Sequence, residues 1–190
     1  PKPREKWWDV CAASGGKTVH LADLAGVNLT LHATDVRASI LKNLQNRTRR
    51  IKQAHDLKIS RLKHEALPLQ WEFYDGVLVD APCSGIGTWP RNPDARDRIK
   101  LGDIDTNAQL QKKLLTEAAA SVKPGGRLIY SVCTLTRAET TEVIDTFLQQ
   151  HPMFTPVRPE MFSDLTTDKK GYFIFPDQFG GCNGMYLCIL

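Results

Sequence analysis

Four times in this 190-residue chain a short apolar run ends on a polar or sulfur-bearing side chain, and the chain then breaks into small or turn-forming residues. The runs cover residues 7–11, 29–34, 74–80 and 127–131. The segments between and after them have helical spacing: Gly16–Ala25; 38–54, with Ile40, Leu41, Leu44 and Ile51 on roughly one face; 105–122, with Leu110, Leu114, Leu115, Ala118 and Val122 in one stripe; and 137–150, with Val143, Ile144, Phe147 and Leu148. A shorter strand is expected at 58–62, and Lys123-Pro124-Gly125-Gly126 is expected to stop the third helix. Val77, Leu78 and Val79 run without alternation, as in a strand covered on both faces. At the tail, 173–176 and Met185–Ile189 flank Gly180, Gly181 and Gly184 and predict a closing hairpin. Strand and helix in regular alternation predict an α/β fold, a mostly parallel sheet with helices on both faces. Ligands of such sheets bind outside the carboxyl ends of the strands. The informative residues should come directly after Val10, Thr34, Val79 and Tyr130.

Composition narrows the class. With 42% hydrophobic and 24% charged residues the chain has the apolar content of a globular domain, not of a disordered one. Its longest apolar runs are too short to cross a bilayer, and no basic-then-apolar leader opens it. Five cysteines, an odd number without paired CxxC spacing, read as cytoplasmic thiols. The net charge of +4 permits a polyanionic partner without establishing one. No linker or repeat divides residues 1–190, so one domain is expected. The first strand starts so close to Pro1 that a preceding portion is expected to be missing.

The first turn reads Asp9-Val10-Cys11-Ala12-Ala13-Ser14-Gly15-Gly16-Lys17-Thr18. Small residues let the backbone turn tightly and approach a ligand, with the amides of a helix start facing it. A P-loop needs glycine six residues before the lysine, where Cys11 stands, and the GxGxxG dinucleotide fingerprint is absent. An adenosyl ligand of methyl transfer remains, beside the plainer reading of a tight turn. Asp35 ends the second strand, where a carboxylate can accept both hydroxyls of a ribose or simply cap the next helix. Asp80-Ala81-Pro82-Cys83-Ser84-Gly85-Ile86-Gly87 delivers a carboxylate from a buried strand and a thiol three residues later. Tyr130-Ser131-Val132-Cys133 supplies a second thiol at the next strand tip. As neighbours in strand order, Cys83 and Cys133 should face one cavity. The plain alternative for each is a small buried hydrophobe, which is how Cys11, Cys182 and Cys188 are read.

DVCAASGGKT, ATDVR, DGVLVDAPCSGIG and GGRLIYSVCT, in this order and spacing, resemble the Sun/Fmu-type RNA cytosine-5 methyltransferases from Trp7 to about Ile144, with a weaker likeness in the tail at Gly181–Tyr186. The resemblance implies a class I (Rossmann-like) three-layer methyltransferase fold with an antiparallel C-terminal strand, S-adenosylmethionine as methyl donor, and a ribosomal or transfer RNA substrate. It implies no membrane partner, no obligate protein partner and no metal. It gives Cys133 the role of nucleophile, Asp80 contact with ring nitrogen 3 of the base, Cys83 assistance in releasing the product, and Lys17 electrostatic help to the base. The donor falls to Cys11, Ala12, Ala13, Ser14, Gly15, Gly16 and Lys17, with Asp35 on its ribose and Asp80 alongside. Because DNA cytosine methyltransferases use the Pro-Cys thiol as nucleophile, the exchanged assignment of Cys83 and Cys133 stays open.

The chain departs from the family in four places. Ser14 replaces a usual proline, Val132 a threonine and Thr140 an asparagine. No aspartate comes after the third strand, where His64-Glu65 stand instead. Phosphate contacts are sought in Arg47, Arg49, Arg50 and Lys52, in Lys58, Arg61 and Lys63, and above all in Arg91 and Asn92, whose loop comes after the Asp80 motif; the first two clusters read equally as solvated faces. Two rival readings remain: a P-loop-like nucleotide hydrolase using Gly16-Lys17-Thr18 and Asp80, and a catalytically silent RNA-binding module of the same fold.

Overall fold

The computed structural model describes residues 1–62 and 70–190, with Gln53 described by its backbone alone. Glu65, His64 and Lys63 lie outside the described residues. The chain forms two compact units, Pro1–Asp80 with Glu117–Leu128, and Ala81–Thr116 with Ile129–Leu190.

The first unit is built on its two adjacent tryptophans. Trp7 and Trp8 sit in strand β1 (Lys6–Asp9) and are buried. A buried indole must still find an acceptor for its N–H. Trp7 Nε1 donates to Glu5 Oε2 at 2.8 Å, and Trp8 Nε1 to Thr34 Oγ1 at 3.0 Å. The Thr34 hydroxyl in turn donates to the Val10 carbonyl at 2.7 Å, which ties the ends of β1 and β2 (Thr30–Asp35) together where the site residues begin. β1 pairs in parallel with β2 and with β4 (Tyr74–Asp80), and β2 in parallel with β3 (Asp56–Arg61). The strands of this unit run in the order β3-β2-β1-β4-β5, the last represented by the opening residues of β5 (Val122–Val132).

Helix α1 (Gly16–Ala25) buries Thr18, Leu21, Ala22 and Ala25. Helix α2 (Ala38–Arg47) buries Leu41 and Leu44 in a cluster with Ala12 and Ala33, against which Leu57 and Ile59 pack. The helix expected to run to residue 54 changes at Thr48 into a 3-10 turn (Thr48–Gln53), where the Thr48 hydroxyl bonds back to the Leu44 carbonyl at 2.8 Å. Behind Trp8, His32 stacks on the indole at 6.0 Å. Its ring nitrogens bond Tyr74 Oη at 2.9 Å and Ser60 Oγ at 2.6 Å, and burial lowers its pKa to about 4.

The Lys123–Gly126 segment departs from its expected role. Helix α3 (Leu101–Ala119) ends before it, and the four residues lie inside β5. Gly125 takes up the local distortion at φ 75°, and Lys123 Nζ pairs with Asp75 Oδ1 at 2.7 Å. A Pro-Gly-Gly signal marks a break in the helix but leaves the conformation beyond the break open. α3 also begins four residues earlier than its apolar stripe suggests, because Asp103 Oδ2 accepts the Lys100 N–H at 2.9 Å and caps the first turn.

In the second unit the closing part of β5 runs antiparallel to β8 (Met185–Ile189), β8 to β7 (Gly171–Ile174), and β7 to β6 (Thr166–Thr167). The expected tail hairpin is present as β7 and β8. α4 (Thr141–Gln150) buries Val143, Ile144 and Phe147 and starts four residues later than expected, after a turn at 137–140. Gly87, at the end of the Cys83 loop, lies backbone to backbone against Gly184: the Gly184 N–H donates to the Gly87 carbonyl at 2.7 Å. A Cβ built on Gly87 would meet the Gly184 carbonyl oxygen at 1.9 Å, so only glycine fits.

Both His32 and Gly87 can be tested by denaturant melts. His32 in the folded chain binds its proton at a lower pH than in the unfolded chain, so between pH 6.5 and 4 the unfolded state takes up the proton and stability falls as pH drops. Wild type should lose more stability than His32→Gln across that window; parallel curves would remove the assignment. Gly87→Ala should destabilise by about 3 kcal/mol in the same melts, because backbone rather than a side chain must move.

Candidate active site

The first-unit residues converge at the carboxyl ends of β1, β2 and β4. Gly15 precedes α1 in the left-handed region at φ 87°, and a Cβ there would lie 2.4 Å from Leu44 Cδ1. The turn therefore closes on α2 with no room for a side chain. The Ala12 N–H donates to the Thr34 carbonyl at 2.8 Å, and the Ala13 N–H to Asp35 Oδ2 at 3.0 Å, so the expected donor loop is strapped to the end of β2. Arg47, grouped by sequence with a basic cluster, reaches this loop instead, its guanidinium 3.4 Å from Ser14 Oγ.

Three acids end these strands, and each is neutralised differently. Asp35 is nearly buried and held by Arg37, whose Nε and Nη2 donate to its two oxygens, each at 3.0 Å. Those bonds and the Ala13 amide hold its pKa below the usual carboxylate value despite burial, which acts in the opposite direction. Asp80 accepts Lys17 Nζ at 2.6 Å. Asp9 is fully buried with one oxygen on the Thr18 hydroxyl at 2.6 Å and Oδ1 without a partner among the described residues; burial raises its pKa to about 7. Thr18 is buried as well. In a P-loop the lysine and threonine would face phosphate and metal; here both are turned onto acids of their own fold. Cys11 is half-buried, and burial beside the acids pushes its thiol up, consistent with a packing residue.

A glycine turn at a helix head, a strand-end carboxylate poised over that turn and an orphaned buried acid oxygen beneath it form a cradle suited to an adenosyl ligand.

The second unit holds both thiols. Cys83 and Cys133 are half-buried, and their Sγ atoms stand 3.3 Å apart, unbridged. The Gly87 N–H donates to the Cys133 carbonyl at 3.0 Å, which ties the end of the first thiol loop to the second. The hydrogen bond between the sulfurs, then burial, pushes the Cys83 thiol well above an ordinary thiol, and the pair shares a proton between them. Cys188 is buried, its thiol pushed up to about 12, and bonds the Lys170 carbonyl. Cys182 bonds the Phe175 carbonyl. Arg91 extends to the Gly181 carbonyl at 3.3 Å and is exposed, as is Asn92.

Sequence reading missed Arg37, Asp9 and Glu139. Arg37 stands two residues after a strand-end acid, a spacing that signals a local pair. Asp9 opens a motif whose glycines and lysine carry the visible signal. Glu139 lies within a stretch whose spacing reads as regular helix. Among the described residues no cluster of metal-binding side chains occurs, and no helix is long and apolar enough to cross a membrane.

The family model for 16S rRNA methyltransferase RsmB/F matches residues 1–190. A probable ribosomal RNA small subunit methyltransferase B of Bacillus subtilis (strain 168) is 35% identical over 202 residues, covering 99% of this chain and 43% of that protein. A second, from Synechocystis sp. (strain ATCC 27184 / PCC 6803 / Kazusa), is 42% identical over 153 residues, covering 80% and 34%. The chain thus spans less than half the length of these relatives. Among solved structures, the crystal structure of PH0851 superimposes with a TM-score of 0.92 at 34% identity, covering all of this chain and 43% of that one. NSun6 from Pyrococcus horikoshii with SFG shares the fold at a TM-score of 0.83 and 24% identity, covering all of this chain and 48% of that one. The α/β class I methyltransferase fold implied by the sequence is the fold these structures share. Matched by the family model along its whole length, the chain belongs to the 16S rRNA methyltransferase RsmB/F family.

Proposed function

We propose that residues 1–190 serve as one catalytic domain that methylates carbon 5 of cytosine in RNA, ribosomal or transfer, and that it works in the cytoplasm. The observation that carries this reading is the 3.3 Å approach of the Cys83 and Cys133 sulfurs at the ends of two different loops. Packing needs no such pairing, whereas a reaction that divides addition and release between two thiols uses it. The relatives named as small-subunit rRNA methyltransferases support the substrate class, and five free thiols fit a reducing compartment.

S-Adenosylmethionine fits the first-unit cradle, with Cys11–Lys17 around it and Asp35 on its ribose, and when bound it supplies an electrophilic methyl group. Asp35 takes the ribose hydroxyls by giving up Arg37, whose side chain is more than half exposed and free to swing outward. Lys17, 2.6 Å from Asp80, is assigned electrostatic help to the base.

Carbon 5 of cytosine is a poor nucleophile. The Cys133 sulfur adds as thiolate to carbon 6, the ring electrons move toward nitrogen 3, and carbon 5 becomes an enamine carbon able to take the methyl group. A proton held between Asp80 and nitrogen 3 balances the charge that arrives there. Afterwards the proton on carbon 5 leaves, its electron pair restores the ring double bond, and the Cys133 sulfur is expelled, with Cys83 assisting. The contact between the two sulfurs lets one assist the other, and the order of roles follows the family resemblance. The target base must be unpaired or turned out of its stack to be reached, and Arg91 and Asn92 are offered for its phosphates.

Trapping separates the two thiols. Cys133→Ala should abolish the covalent adduct with RNA on a denaturing gel, and Cys83→Ala should let it accumulate; the reverse pattern exchanges the roles. Tritiated methyl transfer to RNA distinguishes an enzyme from a silent binding module. Asp35→Ala should weaken S-adenosylmethionine binding about tenfold by isothermal titration, the loss of a hydrogen bond to a charged acceptor. Undiminished affinity would move the donor elsewhere.

A further inference from the structure

Glu139 is a fully buried carboxylate that the chemistry above leaves unused. Its Oε1 accepts the Ser84 N–H at 2.7 Å and Gln111 Nε2 at 3.2 Å. Its Oε2 accepts the hydroxyls of Ser84 at 2.5 Å, Thr136 at 2.9 Å and Thr134 at 3.1 Å. The second amide hydrogen of Gln111 goes to the Pro82 carbonyl at 2.8 Å. Tyr130 Oη donates to the carbonyl of Glu139 itself at 2.7 Å, which fixes the turn that carries it.

These bonds have a common geography. Pro82 and Ser84 flank Cys83, and Thr134 is the next residue after Cys133. Ser84 Oγ and Thr134 Oγ1 also meet each other at 2.9 Å. A carboxylate without water is tolerated only where its acceptor sites are filled, and here they are filled from both thiol loops. A staple that served stability alone would have no reason to draw its donors from beside the two cysteines.

We infer that Glu139, with Gln111 completing the clamp, is a positioning residue that sets the separation of the Cys83 and Cys133 sulfurs, an inference that rests on the two-thiol reading proposed above. Glu139 acts through the Ser84 amide and hydroxyl and through Thr134, holding two loops that the chain itself joins only through some fifty residues.

Glu139→Gln keeps the side-chain volume and sets an amide NH2 against donors. Three readouts on one preparation of the purified protein test it: S-adenosylmethionine affinity by calorimetry, kcat and KM for RNA methylation, and the pH profile of iodoacetamide alkylation of Cys83 and Cys133 read by peptide mass spectrometry. With the sulfurs displaced, kcat should fall on the order of 100-fold. The RNA KM and donor affinity should stay within about threefold, because ground-state binding is untouched. The alkylation profiles of both thiols should move. Ser84→Ala deletes one hydroxyl and keeps the amide bond; its expected loss of about tenfold tests the clamp if Glu139→Gln fails to fold. A kcat within about threefold of wild type with unmoved profiles overturns the inference, as does a parallel loss of donor affinity, KM and kcat, which is the signature of a stability staple. The alkylation profiles need neither RNA nor methyl donor, so they judge the clamp separately from the two-thiol reaction, which the Cys133→Ala trapping experiment judges.

Discussion

A carboxylate sealed from water has to find every hydrogen bond within the protein, and Glu139 finds its own at the loops that carry the two thiols. That requirement explains several local choices. The helix that the sequence begins at residue 137 is delayed to Thr141, because the turn before it must point Glu139 inward. Gln111 is fully buried on α3, with both amide hydrogens committed and Oε1 without a partner among the described residues. Tyr130, wholly buried, spends its hydroxyl on the carbonyl of the same turn. Unpaired polar groups in a core are costly, and a largely satisfied network fixes geometry more specifically than apolar contact.

The first unit solves a related problem differently. It gathers three acids at adjacent strand ends, where like charges would repel. Asp9 is driven toward its protonated form by burial, Asp35 is neutralised by Arg37, and Asp80 by Lys17. The raised Asp9 pKa and two cations thus limit the charge, and the ends of β1, β2 and β4 can crowd together around a glycine turn. The two basic partners are partly exposed, whereas Asp9 is fully buried.

Much of this was legible in the sequence, and the rest was hidden for physical reasons. Strand-end chemistry comes from period and position: Asp35, Asp80, Cys83 and Cys133 all lie at or just beyond a strand end, as an alternating α/β pattern requires, and strand order alone brings Cys83 to Cys133. Element ends were read less well. Thr48 bends its helix through a side-chain bond to Leu44, Asp103 starts one early through a cap, and Lys123–Gly126 continues as a strand, although the same residues in isolation signal only a stop. Glu139 and Gln111 were missed because their roles depend on partners up to 55 positions away whose side-chain directions no periodicity encodes.

Two sulfurs in contact form a single acid with two ends, since a second negative charge at that distance would be strongly opposed. Ionisation then belongs to the pair and to neither residue. Deleting one cysteine does more than remove a reactant: it frees the survivor to titrate as an ordinary buried thiol. Single-cysteine variants of this chain are new acids, and their pH behaviour describes a different centre from the one the intact protein carries.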